Sequence, residues 1–151
     1  LRQVFIGSKL LPTVPEMQHN IDLMDSWGDE QIIRYMVSET GYTDLDGLDS
    51  AHTALMGRIF RHDVGGGYRY FIDTVRDGPA WKLATPVTVV VADDDPGLAR
   101  AGEEYTGWRL LASDVRFHRL PAGGHYFVRT NPGGTAELIR QAWMSAIELA
   151  G

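Results

Sequence analysis

The segment at residues 87–96 has the sequence V-T-V-V-V-A-D-D-D-P. Its first part, Val87–Ala92, is a continuous apolar run, which is typical of a β-strand covered on both faces. Three aspartates and Pro96 follow at once and indicate a loop at the carboxyl end of this strand. Strands of this kind occur in parallel sheets flanked by helices, so the segment predicts an α/β fold.

Two further strands are predicted, at Leu1–Gly7 and Val115–Leu120, from their β-branched and aromatic content. Helices are predicted over residues 97–111 and 135–150. The resulting β-α-β-α order from Val87 onward indicates a parallel sheet with right-handed crossovers. The apolar face of the last helix is predicted to consist of Leu138, Ile139, Ala142, Trp143, Ala146 and Ile147.

The chain is expected to have three regions. Residues 1–15 form a core strand and loop, residues 16–78 a helical lid insertion, and residues 79–151 the C-terminal α/β core. A small parallel sheet with strands this apolar needs cover on both faces and neighbours on both edges. We therefore expect the sheet to be completed by strands of another chain or of a preceding segment, with Leu1 as the edge of a fragment.

The insertion is predicted to contain two main helices, separated by Gly41 and Gly47. Ser26 is the expected cap of the first helix and Asp49 that of the second. Gly65–Gly67 is predicted to end the second helix and to serve as a flexible lid hinge. Met and aromatic residues of the insertion either line an acyl channel or simply pack: Met24, Trp27, Tyr35, Met36, Met56, Phe60, Tyr68, Tyr70 and Phe71.

Composition excludes several classes of protein. At 151 residues with 44% hydrophobic content the chain can bury one core. The net charge of −6 and the lack of a basic run argue against a nucleic-acid partner. The absence of cysteine excludes disulfides, thiolate zinc sites and a cysteine nucleophile. No apolar stretch of membrane-spanning length and no signal-peptide pattern are present, so we expect a cytoplasmic protein without membrane association. His19, His52, His62 and His118 lack ligand spacing with one another, so no metal site is expected.

Residues 121–127, P-A-G-G-H-Y-F, carry the main candidate for chemistry, His125. A Gly-Gly turn after a strand lets the chain turn sharply and present the imidazole. A strand ending in acid followed by a strand ending in histidine matches the chain order of the last two members of a Ser-Asp-His series. Asp95, held in the loop by Pro96, is the expected acid. Asp93 is the alternative, because spacing alone leaves the register of the D-D-D run open.

Less specific interpretations exist for each residue. His125 also fits an exposed turn histidine, and Asp95 fits ordinary turn chemistry after a strand. Ser8 is a hydroxyl near a strand end, but it lacks the flanking glycines of a nucleophile elbow, so loop hydrogen bonding is favoured. No G-x-S-x-G sequence occurs in the chain.

The order of four motifs resembles that of type II thioesterases, α/β-hydrolases that partner nonribosomal peptide and polyketide synthases. The motifs are V-F-I-G-S-K-L-L-P at residues 4–12, P-V-T-V-V-V-A-D-D-D-P at residues 86–96, Trp108 in the helix after the acid, and L-P-A-G-G-H-Y-F at residues 120–127. The A-D-D-D-P sequence is similar to the family's G-D-x-D-P, which implies that Asp95 is the triad acid. The G-G-H-Y-F sequence is similar to G-G-H-F-F, which implies that His125 is the base. Gly7-Ser8-Lys9 departs from the family's S-G-R order.

The resemblance covers only the back half of the family's fold, and it implies a serine-type thioesterase whose nucleophile lies outside this chain. The implied reaction is hydrolysis of acyl groups from the phosphopantetheine arm of an acyl or peptidyl carrier protein. This reaction implies no cofactor on the chain itself, neither a metal nor a nicotinamide. The implied partners are that carrier and the missing N-terminal half with its serine. Two alternatives remain: a product-releasing thioesterase domain at the end of a nonribosomal peptide synthetase, and a non-catalytic acyl- or carrier-binding module.

Overall fold

The computed structural model of the chain describes residues 2–41, 48–78, 82–98 and 107–148, with the side chains up to residue 145. The chain divides into two compact units. Residues 1–11 and 82–151 form the first, which we call the α/β unit. Residues 12–81 form the second, the helical unit.

The α/β unit is built on a three-stranded parallel sheet in the order β1-β2-β3. Its strands are β1 (Val4–Gly7), β2 (Val87–Ala92) and β3 (Val115–Leu120). The predicted α/β class and parallel pairing are confirmed, and β2 and β3 have the predicted bounds. Strand β1 is shorter than the predicted Leu1–Gly7.

All residues of the central strand β2 are buried, as expected for a strand covered on both faces. On one face, Val90 and Ala92 pack with Leu120 of β3. Two helices complete this cluster, α5 (Phe127–Thr130) through Phe127 and α6 (Pro132–Glu148) through Leu138. Leu120 and Phe127 flank the loop that carries His125, so both ends of that loop are anchored in this cluster.

The last helix differs from its prediction in two respects. It begins at Pro132 rather than residue 135, since proline suits the first turn of a helix. Leu138 and Ala142 are buried, but Ile139 and Trp143 are 38% and 39% exposed. The buried stripe is therefore narrower than the predicted apolar face, and its expected extension at residues 146 and 147 lies outside the described side chains.

The prediction of one helix over residues 97–111 is tested only at its ends, because residues 99–106 lie outside the described part. Residues 96 and 97 form a turn, and helix α4 spans only Trp108–Leu111. Trp108 is buried, and its indole Nε1 donates a hydrogen bond of 2.8 Å to the Lys9 carbonyl. Gly107 is required next to it, because a Cβ at that position would lie 2.2 Å from the Leu11 carbonyl oxygen.

The helical unit contains α1 (Val14–Ser26), α2 (Asp29–Thr40) and α3 (Ser50–Arg76), and α3 packs against both other helices. Helix α1 begins at Val14, inside the region up to residue 15 that is predicted to be strand and loop. Its cap at Thr13 is closed by Glu16, whose carboxylate accepts from the Thr13 N–H at 2.8 Å.

Two of the capping predictions have opposite outcomes. Asp49 caps α3 as predicted, with its carboxylate accepting from the His52 N–H at 2.8 Å. The prediction for Ser26 is wrong, because Ser26 is the last residue of α1 and Gly28 caps α2. The Ser26 hydroxyl instead donates to the Leu23 carbonyl of its own helix at 2.7 Å.

The glycine predictions also divide. Gly41 ends α2 in the left-handed conformation, with φ of 64°. Gly47 lies outside the described residues. The prediction that Gly65–Gly67 ends a helix and forms a hinge is wrong, because α3 continues through all three glycines to Arg76. None of the three has a positive φ, so each takes the ordinary helical conformation.

Candidate functional site

The candidate site lies at the carboxyl ends of the parallel strands. Ser8 follows β1, Asp95 follows β2 and His125 follows β3. Ala92 and Leu120 are paired in register, so β2 and β3 end at the same level. The loops that carry the acid and the histidine therefore leave the sheet side by side.

The structure brings His125 and Asp95 together. The His125 Nδ1 atom lies 3.1 Å from Oδ2 and 3.3 Å from Oδ1 of Asp95. Asp95 is 4% exposed, whereas the imidazole side chain is 26% exposed. The Asp95 carboxylate is thus shielded from solvent, whereas part of the His125 ring remains accessible to solvent.

Burial acts to raise the pKa of the Asp95 carboxyl, but the hydrogen bond and charge of His125 act against it, and the net pKa is lowered. The carboxyl is therefore ionised near neutral pH and can only accept hydrogen bonds. It follows that Nδ1 of His125 carries the proton and that Nε2 is left to act as a base.

The Gly97 N–H also holds the Asp95 carboxylate, with a hydrogen bond of 2.9 Å to Oδ1. The Ser8 hydroxyl acts to lower the pKa of Asp95 but makes no hydrogen bond of acceptable geometry within the described part of the chain. Ser8 has a φ of 47° and is the one non-glycine residue with positive φ in the described part of the chain. Its hydroxyl is buried. Because the described residues give this hydroxyl no hydrogen-bond partner, the favoured interpretation of Ser8 as a loop hydrogen-bonding residue stays a prediction.

The alternative acid, Asp93, points elsewhere. Its Oδ1 pairs with Nε of Arg119 at 2.8 Å, and both side chains are more than half exposed. The structure therefore places Asp95, rather than Asp93, against the imidazole of His125.

Asp94 makes contacts that the sequence did not reveal. Its Oδ1 accepts hydrogen bonds from the N–H groups of Gly123 and Gly124, at 2.9 and 2.7 Å. Its Oδ2 lies 3.2 Å from the Gly123 nitrogen. The backbone N–H groups of the Gly-Gly turn lower the pKa of the Asp94 carboxyl. The sequence shows both partners, as an aspartate run and a Gly-Gly pair, but it does not indicate that each aspartate of the run has its own partner.

The Gly-Gly turn has glycine-specific geometry, with φ of 141° at Gly123 and 61° at Gly124. A Cβ on Gly123 would also lie 2.7 Å from the Cβ of Phe127. Beyond the turn, Thr130 donates to the Gly123 carbonyl and Asn131 donates to the Ala122 carbonyl. These contacts fix the segment immediately before the catalytic candidate His125.

The side chain after the histidine forms one wall of the site. The rings of His125 and Tyr126 meet edge to face with centroids 5.2 Å apart, and Tyr126 is 39% exposed. An aromatic ring at this position restricts the orientation of the imidazole.

The Met and aromatic residues predicted in the insertion are largely packed within the helical unit. Met24, Met36 and Tyr68 are buried, and Trp27 and Tyr35 meet with ring centroids 5.2 Å apart. Tyr70, in contrast, is 65% exposed. Packing therefore accounts for the first five of these residues, and acyl contact by other members of the set stays a prediction.

Across the described ranges, no group of three or more His, Cys, Asp or Glu side chains is placed to hold a metal ion. Within the same ranges, every helix is too short or too polar to cross a membrane.

The fold and these contacts define an α/β protein in which a buried aspartate is hydrogen-bonded to a partly exposed histidine. Both residues lie at the carboxyl end of the parallel sheet. No protein-family model matches the chain. The chain is similar to the AMB antimetabolite synthetase AmbE of Pseudomonas aeruginosa, with 29% identity over 143 residues that cover 93% of this chain. It spans only 6% of the length of that relative.

Proposed function

We propose that this chain is the acid- and base-bearing half of an α/β-hydrolase thioesterase that acts in nonribosomal peptide or polyketide biosynthesis. The contact between Asp95 and Nδ1 of His125 carries the proposal, because this geometry orients an imidazole as a general base. Similarity to an antimetabolite synthetase along most of the chain supports the biosynthetic setting.

The proposed reaction is hydrolysis of an acyl thioester on the phosphopantetheine arm of a carrier protein. A serine from outside these residues attacks the thioester carbonyl while Nε2 of His125 takes its proton. The C–S bond breaks, the thiol of the arm leaves with that proton, and an acyl-serine ester remains. His125 then deprotonates a water that cleaves the ester, which releases the carboxylic acid and restores the serine. Asp95 keeps the proton on Nδ1 and stabilises the imidazolium in both steps.

The product-releasing thioesterase domain of a nonribosomal peptide synthetase is a second candidate with the same chemistry. The match to a small part of a much longer synthetase favours this variant, because it fits a domain within a multidomain enzyme. A carrier domain encoded directly upstream in the same reading frame distinguishes it from a free-standing hydrolase.

The test uses the full-length polypeptide that contains this chain and a carrier protein loaded with an acyl-phosphopantetheine arm. Mass spectrometry of the carrier follows acyl loss. We expect His125→Ala to reduce turnover on the order of 10⁴-fold or more, because general-base catalysis is lost. His62→Ala removes an exposed histidine of α3 and is the matched control, with turnover expected at the wild-type level.

The opposite result defines the third candidate, a non-catalytic binding module. In that case the loaded carrier binds with equal affinity to wild type and His125→Ala, and the acyl group stays on the arm in both. Such an outcome removes the thioesterase proposal and leaves an acyl- or carrier-binding role.

A further inference from the structure

The three consecutive aspartates at the end of β2 have three different partners. Asp93 pairs with Arg119, Asp95 with His125, and Asp94 with the two backbone N–H groups of the Gly-Gly turn. We propose that Asp94 is a positioning residue that locks this turn and so holds the imidazole of His125 on Asp95. This inference deepens the proposed function and rests on it for its catalytic consequence.

The geometry of the turn favours an anion. Successive N–H groups of Gly123 and Gly124 converge on a single oxygen, Oδ1 of Asp94, which is the arrangement of a backbone anion nest. The carboxylate is ionised under ordinary conditions, because the two N–H groups of Gly124 and Gly123 lower its pKa. Charge-assisted hydrogen bonds of this type are stronger than neutral ones.

Two neighbouring carboxylates of the loop after β2 bind neighbouring residues of the loop after β3. Asp94 binds the backbone of Gly123 and Gly124, and Asp95 binds the ring of the next residue, His125. The loop after β2 and the loop after β3 are thereby joined at consecutive positions. A rotation of the turn that carries the imidazole away from Asp95 therefore also breaks the bonds to Asp94.

The Gly-Gly turn needs such a restraint because glycine has more backbone freedom than any other residue. Thr130 and Asn131 hold carbonyl groups of the segment, at Gly123 and Ala122. Among the described residues Asp94 is the side chain that holds its N–H groups. Small displacements of a catalytic group cost on the order of a hundredfold in rate, so this restraint affects turnover.

Three variants test the role in the full-length polypeptide. Asp94→Ala removes both hydrogen bonds. Asp94→Asn keeps an Oδ1 acceptor for both N–H groups but removes the charge, and it is expected to restore most of the wild-type behaviour. Asp93→Ala removes a neighbouring exposed carboxylate that pairs with Arg119 and is the matched control.

The first measurement is independent of activity. Nitrogen-15 NMR of the His125 ring reports which nitrogen carries the proton, and amide exchange of Gly123 and Gly124 reports the turn. For Asp94→Ala we expect a mixture of ring tautomers and exchange at least about tenfold faster at both glycines. Asp94→Asn and Asp93→Ala are expected to keep the single Nδ1-protonated form.

The second measurement is acyl release from the loaded carrier, where Asp94→Ala is expected to lower kcat roughly tenfold to a hundredfold with little change in KM. Ring signals of Asp94→Ala identical to those of the wild type would overturn the proposal. Should this variant not fold, Asp94→Ser replaces it, since its hydroxyl is too short to reach both amides, and the same criterion applies. If the wild type releases no acyl group but the ring signals still change, the positioning role stands and the thioesterase proposal fails.

Discussion

Asp95 is buried and lies beside an imidazole, and these two conditions act on its pKa in opposite directions. Burial raises the pKa, the hydrogen bond and charge of His125 lower it, and the net pKa lies below the ordinary value of 3.8. A carboxyl whose pKa is lower in the folded state stabilises the fold above the pKa of the unfolded chain. That stabilisation is lost as the pH falls through the ordinary value toward the pKa of the folded state.

We therefore expect the free energy of unfolding of the wild type to decrease more steeply between about pH 5 and pH 3 than that of Asp95→Asn. Urea unfolding at several pH values in this window measures both slopes. Asp93→Asn removes an exposed carboxylate from the same loop and controls for the change in charge. Equal slopes for the wild type and Asp95→Asn would show that the pKa of Asp95 is not lowered by folding.

The sequence predicts His125 as the base and offers Asp93 or Asp95 as its acid, with the family resemblance favouring the latter. It could not decide between them physically, because both follow the same strand and differ only in where the loop directs each side chain. The contacts of Asp94 were not predictable either, since they depend on the direction of two backbone N–H groups 29 and 30 residues away. Backbone donors leave no signature in residue types.

At the scale of elements, β2, β3 and the cap at Asp49 were predictable because their signals are local. The prediction for Gly65–Gly67 is wrong because tertiary packing, which is not a local signal, decides the structure there. Glycine disfavours a helix only by about 1 kcal/mol per residue, and packing of α3 against α1 and α2 offsets that cost. The prediction for Ser26 is wrong because the buried stripe of α1 continues almost to that residue, through Met17, Ile21 and Met24.

Substitution within the glycine run Gly65–Gly67 can raise the stability of α3. A Cβ at Gly66 has no atom within 4 Å, so Gly66→Ala is expected to stabilise the helical unit by about 1 kcal/mol. Gly65→Ala is the comparison, because Gly65 is buried and its Cβ would lie 3.2 Å from Nη1 of Arg69. A smaller gain is expected there. Chemical denaturation measures both, and a loss of stability in Gly66→Ala would contradict the prediction.

At the scale of the whole molecule, the two edges of the sheet have different characters. Strand β3 carries Arg116, His118 and Arg119, and charged side chains are typical of an edge that avoids further pairing. Strand β1 has the uncharged sequence V-F-I-G. Among the described residues it pairs with β2 alone. The proposed hydrolase fold requires a further strand next to β1, and the uncharged side chains of β1 are compatible with pairing to such a strand.

Amide exchange tests that requirement in the full-length polypeptide. The N–H groups of Val4 and Ser8 donate to β2 and its flank, at Pro86 and Val90, so those of Phe5 and Gly7 face the other way. We expect Phe5 and Gly7 to exchange on the order of a hundredfold more slowly than free peptide amides, as a further strand would protect them. Val4 and Ser8 serve as internal references. Fast exchange at Phe5 and Gly7 alone would identify β1 as a true edge.

The different partners of Asp93, Asp94 and Asp95 have a consequence for how this loop tolerates change in length. Deleting any one of the three yields the same sequence, A-D-D-P, whichever codon is lost. Every such deletion nevertheless leaves two carboxylates for three sets of donors, namely a guanidinium, a pair of amides and an imidazole. A substitution at Asp93 leaves Asp94 and Asp95 at their own positions beside the Gly-Gly turn and His125, whereas a one-residue shortening also displaces the loop relative to these donors.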